Sequence, residues 1–427
     1  MLLEKEANNA SIWFIFFCQS MTTLGLMAMV PIMPIYLQQF TESSLAESGS
    51  WASLAIAAPA FGSLLLAPYL GRACDRYGYR RLVLLSLAGF TVSMLLMAVS
   101  ETMIAFLIGR LLLGVSGIGV TLTTFASASA PSQQLGRSLA LLQAGTACGA
   151  FLGPLLGGVL QGQWTLQPLL LMTALMSGIG VLGAGLFLKE PRRRGVEIGE
   201  AAKPQIAINA FTALWQPSLG GWLLAGCCVQ AAAFALVVVF VLFLESIVDQ
   251  YIHTKGLWWS YLSLPLAAGV IHGLGWLTTS LTSHYWGNAN DNGIPRRHFL
   301  IGACACGLSL FLMSVSENLW VVLLFRLLHG TFFAALIQTV YLEISSRRHD
   351  SPTEGSPGHR IGLCKSYLVL GQIIGPLSIA AFLPHLHPQQ LLQMVALLFV
   401  TAALIAFTLT KPHSRIDNTK HTEIGRA

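Results

Sequence analysis

Charged side chains are scarce in this sequence. Asp, Glu, Lys and Arg together make up 10% of its 427 residues, whereas 54% of the residues are apolar. Soluble domains carry about 25% charged residues, which help to cover the surface that faces water. With a mean hydropathy of +0.67, the chain has too little charge to coat a soluble globule. The composition therefore excludes a water-soluble protein and indicates one that lies within a membrane.

Long apolar runs separate the few charges. A helix needs about 20 mostly apolar residues to cross the hydrocarbon layer. The runs show no alternation of period two, so they predict helices and not barrel strands. We number them spans 1 to 12, over residues 11–38, 51–70, 82–99, 102–124, 138–160, 166–188, 219–244, 258–280, 299–315, 319–342, 361–384 and 390–410. The sequence thus predicts an all-α integral membrane protein with twelve transmembrane helices.

The sequence also lacks patterns typical of enzymes and metal sites. Its eight cysteines show no metal-ligand spacing, and we interpret them as small apolar fillers. No nucleophile has a base at a workable spacing, which excludes an intramembrane enzyme. We therefore expect no catalytic residues, no metal and no cofactor.

Basic residues indicate the orientation of the spans. Apart from Arg110 and Arg326 inside spans and Lys255 in an odd-numbered connector, Lys and Arg lie in or beside even-numbered connectors and the two tails. Because basic residues are retained on the cytoplasmic side, both termini are expected there. This bias accounts for the net charge of +6 without a nucleic-acid partner. The first run is too long for the core of a cleavable signal, so we expect it to remain as span 1.

The charged stretch LGRACDRYGYRR, residues 70–81, recurs as WGNANDNGIPRR, residues 286–297. At a constant offset of 216 positions, the alignment pairs Gly71 with Gly287, Asp75 with Asp291, Arg80 with Arg296, and Arg110 with Arg326. A second match pairs GAFLGP, ending at Pro154, with GQIIGP, ending at Pro376, at an offset of 222. The repeat predicts two pseudo-symmetric six-helix halves, residues 1–188 and 219–427. Residues 189–218 are predicted to form a cytoplasmic linker, with a surface helix over 205–215.

Three motifs give the chain a recognisable resemblance. The first lies between spans 2 and 3 and comprises Gly71, Asp75, Arg76, Gly78 and Arg80, with Tyr79 in place of a basic residue. The second is RLLLGVSGIG in span 4, and the third is AGTACGAFLGPLLGG in span 5, with Gly149, Gly153, Pro154, Gly157 and Gly158. Together they resemble the major facilitator superfamily of transporters. The third resembles the twelve-helix drug:proton antiporter branch.

The resemblance implies a conformational gate built from the repeated loop. Asp75 would meet the positive N-terminal end of span 11, near Ile361–Gly362, and so join the two halves on the cytoplasmic face. The loop arginines would orient Asp75, and Gly71 and Gly78 would permit a tight turn. Asp291 and Arg296 are the equivalents in the second half. The alternative is that the arginines only fix the topology.

The resemblance also implies a role for span 5. Its glycines follow the small-xxx-small spacing that lets helices approach closely, and Pro154 would bend the helix. In antiporters of this type that surface packs against span 8 and seals the outer side.

Buried cations suggest the chemistry of the substrate. Arg110 and Arg326 lie deep in their spans, and Lys365 lies a turn inside span 11, yet the N-terminal half has no mid-membrane acid to neutralise them. A bound anion could compensate them, and Arg favours carboxylates because its planar fork binds both oxygens. The alternative is that backbone carbonyls, Gln143 and hydroxyls satisfy both arginines.

These features predict an inner-membrane secondary exporter that works by alternating access, with a small amphipathic carboxylate such as a siderophore as substrate. Proton antiport is implied by the resemblance alone; its candidate carriers are Glu245, Glu343, His272 and His329, although the histidines could be packing residues. The alternatives are a broad-specificity multidrug efflux pump or a proton-coupled importer of a small organic anion. We expect a monomer whose partners are the substrate, protons and the lipid bilayer.

Overall fold

The computed structural model describes residues 2–40, 45–129, 135–163, 166–190, 219–254, 263–346 and 357–410. Within these ranges the regular structure is entirely helical, and 12 helical segments are long and apolar enough to cross a membrane. The predicted all-α fold with twelve spans is confirmed. The surface helix expected over 205–215 lies outside the described residues.

The helices extend further than the apolar runs at several ends. Spans 1 to 6 are Leu2–Met29 with short turns to Phe40, Leu45–Tyr77, Tyr79–Ala98, Met103–Ser116 with Ile118–Ser129, Leu135–Gln163 and Gln167–Phe187. Spans 7 to 12 are Gly220–Thr254, Leu264–Asn292, Pro295–Ser314, Leu319–Ser346, Pro357–Phe382 and Pro388–Leu409. Apolar runs mark the hydrocarbon-facing part of a helix, and the helix continues beyond it into the headgroup region.

Two glycines with positive φ interrupt the regular helices. Gly117, at φ 59°, breaks span 4 into two segments, and a Cβ there would overlap the Leu70 side chain. Gly78, at φ 102°, forms the turn between spans 2 and 3. Gly71 lies within the continuous helix Leu45–Tyr77, so its expected role in the turn is wrong. The turn needs only one residue, and that residue is Gly78.

Proline residues end the regular part of span 1. After Met29 the chain forms a 3-10 turn that contains Pro31, followed by a short helix that contains Pro34. Proline has no N–H to donate, so two prolines three positions apart prevent the α-helical pattern from continuing.

The sequence repeat reappears in helix packing. A Cβ on Gly149 would strike the Ser20 carbonyl of span 1, and one on Gly371 would strike the equivalent Cys227 carbonyl of span 7. Likewise, Gly114 of span 4 packs on the Pro59 carbonyl. Its equivalent in span 10, Gly330, packs on the Gly275 carbonyl. Both halves therefore use small residues at matching positions to bring backbones together.

The close glycine contacts between the two halves lie toward one end of the bundle. We call that end the distal face and the end that carries Gly78 the proximal face. Gly158 of span 5 packs on Gly269 of span 8, where a Cβ would lie 3.0 Å from the Gly269 Cα. A Cβ on Gly49 of span 2 would lie 2.7 Å from Leu383 and 3.1 Å from Leu242. These contacts close the distal face.

Candidate anion site and conformational gates

Arg326 forms a buried cluster with two histidines. It lies seven residues after Leu319, the start of span 10, which is about 10 Å along the helix at 1.5 Å per residue. Its side chain is only 5% exposed. Its Nη1 lies 2.9 Å from His329 Nδ1, and its Nη2 lies 3.2 Å from His272 Nδ1 on span 8. The sequence places His329 one turn after Arg326 on span 10, but it gave no reason to group His272 of span 8 with them.

The hydrogen bonds of His329 are fixed by its neighbour. A guanidinium group can only donate, so His329 Nδ1 accepts from Arg326. A neutral imidazole then carries its hydrogen on Nε2, and this atom is buried without a partner. Arg326 Nε is also buried and unpartnered. Arg326 and His329 thus each bury one donor without an acceptor in the described part of the chain.

His272 receives more donors than it can satisfy. Arg326 Nη2 approaches its Nδ1, and Trp276 Nε1, which also only donates, lies 3.3 Å from its Nε2. A neutral imidazole has a single acceptor nitrogen, so one of these two donors is left without a hydrogen bond. An unsatisfied buried donor costs about 1–3 kcal/mol. The cluster is therefore a concentration of donors that an oxygen-rich anion would satisfy.

Aromatic rings surround the polar atoms of this cluster. The guanidinium of Arg326 lies over the Phe240 ring of span 7, 5.4 Å from its centroid. The His329 ring stacks on Phe333 at 5.7 Å and meets Phe399 of span 12 edge-on at 5.4 Å. A ligand here would meet hydrogen-bond donors at one end and apolar rings beside them.

Arg110 occupies the equivalent position in the N-terminal half but has different partners. It is 1% exposed, and its Nε donates to the Ala55 carbonyl at 2.8 Å. Its Nη1 is buried without a partner. Gln143, expected as a possible partner for the arginines, is exposed on span 5. The structure therefore does not bring Gln143 to either buried arginine.

The remaining candidates for the substrate or proton pathway lie elsewhere. Glu343 is buried on span 10, 17 residues beyond Arg326, about 25 Å along the helix. Glu245 follows the predicted end of span 7 directly, but the observed helix continues to Thr254, and Glu245 is half-buried within it. Lys365 is exposed in span 11. None of these residues is a hydrogen-bond partner of Arg326.

The loop arginines of the two halves make the same contact. Arg80 donates from Nη2 to the Gly185 carbonyl near the end of span 6. Arg296 donates to the carbonyls of Ala406, at 3.2 Å, and Phe407, at 2.5 Å, near the end of span 12. Cations at a helix C-terminus satisfy its free carbonyls and its dipole. Both arginines thus anchor spans 6 and 12, and Arg76 is exposed.

Glu190 is a structural residue that the motif analysis missed. Its carboxylate accepts hydrogen bonds from the backbone N–H groups of Tyr79, at 2.7 Å, and Arg80, at 3.0 Å. It thereby caps the N-terminus of span 3. A local sequence motif could not reveal this cap, because Glu190 lies 111 positions from Tyr79.

Span 11 begins earlier than the contact expected for Asp75 requires. That helix begins at Pro357, so Ile361–Gly362 falls in its second turn, and the free N-terminal amides belong to earlier residues. The side chains of Asp75 and Asp291 lie outside the described residues.

The span 5 glycines divide between two neighbours. Gly149, Gly153 and Gly157 pack on the span 1 carbonyls of Ser20, Leu24 and Ala28, within the same half. Gly158 instead faces span 8 of the other half. Pro154 lies inside this helix, and its carbonyl approaches Gly269. Only part of the glycine-rich surface therefore lies between the halves.

Twelve spans in a repeated arrangement, with Arg326 buried between two imidazoles, fit a membrane-embedded transporter of small molecules. A family model described as Major Facilitator Superfamily matches residues 15–348. The chain therefore belongs to the Major Facilitator Superfamily, and it is a transporter and not an enzyme.

Similar proteins agree with this assignment. The chain is 27% identical over 421 residues to the staphyloferrin B transporter of Staphylococcus aureus, with 96% of each chain covered. It is 23% identical over 362 residues to the multidrug resistance protein MdtG of Salmonella paratyphi C, with 82% of this chain and 83% of MdtG covered. The crystal structure of the nucleoside transporter NupG matches with a TM-score of 0.74 at 12% identity, over 93% of this chain and 98% of that chain. This last likeness shows the fold.

Proposed function

We propose that this protein exports an amphipathic, carboxylate-bearing metabolite by alternating access. The observation that carries the proposal is the pair of buried donors without acceptors, Arg326 Nε and His329 Nε2. A carboxylate offers two oxygens with about four lone-pair positions, which suits buried donors of this kind. The surrounding rings of Phe240, Phe333 and Phe399 favour a substrate with an apolar portion.

The similar proteins support export and this substrate class. One is named for the siderophore staphyloferrin B and another for multidrug resistance. The span 5 signature favours the same direction. We therefore propose a siderophore-like organic acid as substrate, and a monomer in the inner membrane.

The orientation in the membrane is proposed from the basic residues. Both termini and the loop that contains Gly78 would lie in the cytoplasm, because Lys and Arg are retained on that side. The distal face, which the glycine contacts close, would then face outward. The described conformation would be closed to the outside.

A broad-specificity efflux pump is the second candidate, favoured by the aromatic rings around Arg326 and by the match to MdtG. Such rings bind lipophilic cations as well as apolar molecules. The two candidates differ in substrate charge: a site for lipophilic cations gains nothing from Arg326, whereas a carboxylate site depends on it.

Transport into inverted membrane vesicles distinguishes these candidates. We expect uptake of benzene-1,3,5-tricarboxylate and little uptake of its uncharged trimethyl ester or of tetraphenylphosphonium. Preferential uptake of tetraphenylphosphonium would favour the multidrug pump and contradict the carboxylate exporter. Uptake of the tricarboxylate by intact cells but not by inverted vesicles would indicate an importer.

A further inference from the structure

The two histidines beside Arg326 bear on whether a proton binds together with the substrate or in exchange for it. We propose that the site formed by Arg326, His272 and His329 binds its anion together with a proton and not in exchange for one, so that export draws on the membrane potential. This proposal rests on the proposed carboxylate site. It concerns the driving force, which the family assignment leaves open.

The contacts of the two histidines with Arg326 and Trp276 disfavour a proton at this site. A protonated imidazole carries hydrogens on both nitrogens. On His329 the added hydrogen would sit on Nδ1, 2.9 Å from the Arg326 Nη1 donor, and on His272 it would meet Arg326 Nη2 at 3.2 Å or the Trp276 N–H at 3.3 Å. In each case a hydrogen bond is lost and a second positive charge is placed beside the first.

No acidic group compensates that second charge within the described part of the chain. Span 7 presents Phe240 to the cluster, span 12 presents Phe399, and span 9 presents the Cys306 thiol, which donates weakly to the His329 carbonyl at 3.6 Å. Span 8 contributes His272 and Trp276, and span 10 contributes Arg326, His329 and Phe333. The titratable and charged groups are thus Arg326, the two histidines and Cys306.

A bound carboxylate reverses this situation. It supplies the negative charge that the cluster lacks and draws the guanidinium hydrogens toward its own oxygens. A histidine Nδ1 released from Arg326 can then hold a proton. Because coupling between two ligands is reciprocal, an anion that favours protonation of the histidine is itself bound more tightly when the histidine is protonated.

Antiport requires the opposite relation. In a proton antiporter, loss of the substrate must favour uptake of the proton that returns. A site that takes up both together cannot perform this exchange. A substrate with several carboxylates keeps net negative charge after one proton is bound, and an inside-negative potential drives that charge outward.

Binding measured as a function of pH tests the proposal directly. The full chain in lipid nanodiscs would be titrated calorimetrically with benzene-1,3,5-tricarboxylate between about pH 8 and about pH 6, where histidine titrates. We expect binding about tenfold tighter at the lower pH. His329→Gln keeps an acceptor and a donor but cannot take a proton, and it should lose the pH dependence whatever affinity it retains; His272→Gln should reduce it. The matched control is His385→Gln, an exposed residue between spans 11 and 12.

The possible outcomes separate this proposal from the proposed function. Binding that weakens as pH falls, or does not change, would overturn co-binding while leaving the carboxylate site intact. A complete lack of binding, or binding unchanged in Arg326→Met, would overturn the carboxylate site and this proposal with it. In proteoliposomes, tricarboxylate efflux should follow a potassium-diffusion potential imposed with valinomycin, and efflux driven solely by an opposing pH gradient would contradict the proposal.

Discussion

Arg110 and Arg326 occupy equivalent positions in the two halves, yet their surroundings differ. Around both, the scaffold is the same: Ser63 donates to the Gly114 carbonyl, and its equivalent Thr279 donates to the Gly330 carbonyl. Each arginine buries one nitrogen without a partner, but Arg110 bonds to a backbone carbonyl, whereas Arg326 meets two imidazoles. The duplicated part of the fold therefore sets backbone positions, and a few side chains of the C-terminal half form the site that we propose for the substrate.

The largest expected difference between the halves comes from removing these two charges one at a time. Arg326→Met should weaken carboxylate binding about 30-fold or more, because loss of one partner of a buried charged contact costs at least about 2 kcal/mol. Arg110→Met should bind within about threefold of the wild type, since Arg110 bonds to the Ala55 carbonyl within its own half and is not part of the proposed site. Calorimetric titration of both variants measures the difference. Equal losses in the two variants would place the substrate between both halves.

The duplicated loop offers the next comparison. We propose that Asp75 controls the conformational equilibrium and does not touch the substrate, so Asp75→Asn should cut transport severalfold and leave binding nearly unchanged. Asp291→Asn tests whether its equivalent does the same. Transport into vesicles and binding in nanodiscs would be measured on the same preparations. A parallel loss of binding and transport in Asp75→Asn would contradict the gate.

Single glycines distinguish contacts within a half from contacts between halves. Gly149→Ala and Gly371→Ala should each cost about 1–3 kcal/mol of stability, because each new Cβ strikes a carbonyl of span 1 or span 7. In Gly158→Ala the new Cβ would lie 2.5 Å from the Pro265 carbonyl oxygen. This distance is too short, so spans 5 and 8 would have to move apart. That variant should instead shift the molecule toward a conformation open at the distal face.

Labelling from the distal side would measure that shift. Ala267→Cys places a thiol at a buried position in the distal part of span 8. A membrane-impermeant maleimide should modify this thiol faster in Gly158→Ala than in the otherwise identical protein with Gly158. Unchanged labelling together with reduced thermal stability would show that Gly158 only packs the helices, as Gly149 does.

Much of this architecture could be predicted from the sequence because it depends on local patterns. Apolar length gave the twelve spans, and the 216-position offset correctly paired Arg80 with Arg296, whose side chains anchor equivalent helix ends. Three-dimensional contacts could not be read in the same way. The grouping of His272 with Arg326 depends on how spans 8 and 10 cross, and the continuation of span 2 through Gly71 overrides the usual preference of glycine for turns. Glu190 likewise acts on residues far away in sequence.

The smallest expected effect concerns the start of the third span in each half. In the N-terminal half, Glu190 accepts from the N–H groups of Tyr79 and Arg80, which would otherwise be free at the helix N-terminus. In the C-terminal half, the equivalent helix begins with Pro295, which has no N–H to satisfy. Glu190→Ala should therefore cost about 1 kcal/mol of stability, the usual cost of losing an N-terminal cap.

Thermal unfolding in detergent would measure this loss, with Lys189→Gln as the matched control because Lys189 is the exposed neighbour of Glu190. We expect a lower unfolding midpoint for Glu190→Ala and little change for the control. If Glu190 also links the end of span 6 to the loop that contains Gly78, the same variant should alter the transport rate more than it alters binding. An unfolding midpoint equal to that of the control would show that water replaces the carboxylate at this helix end without loss.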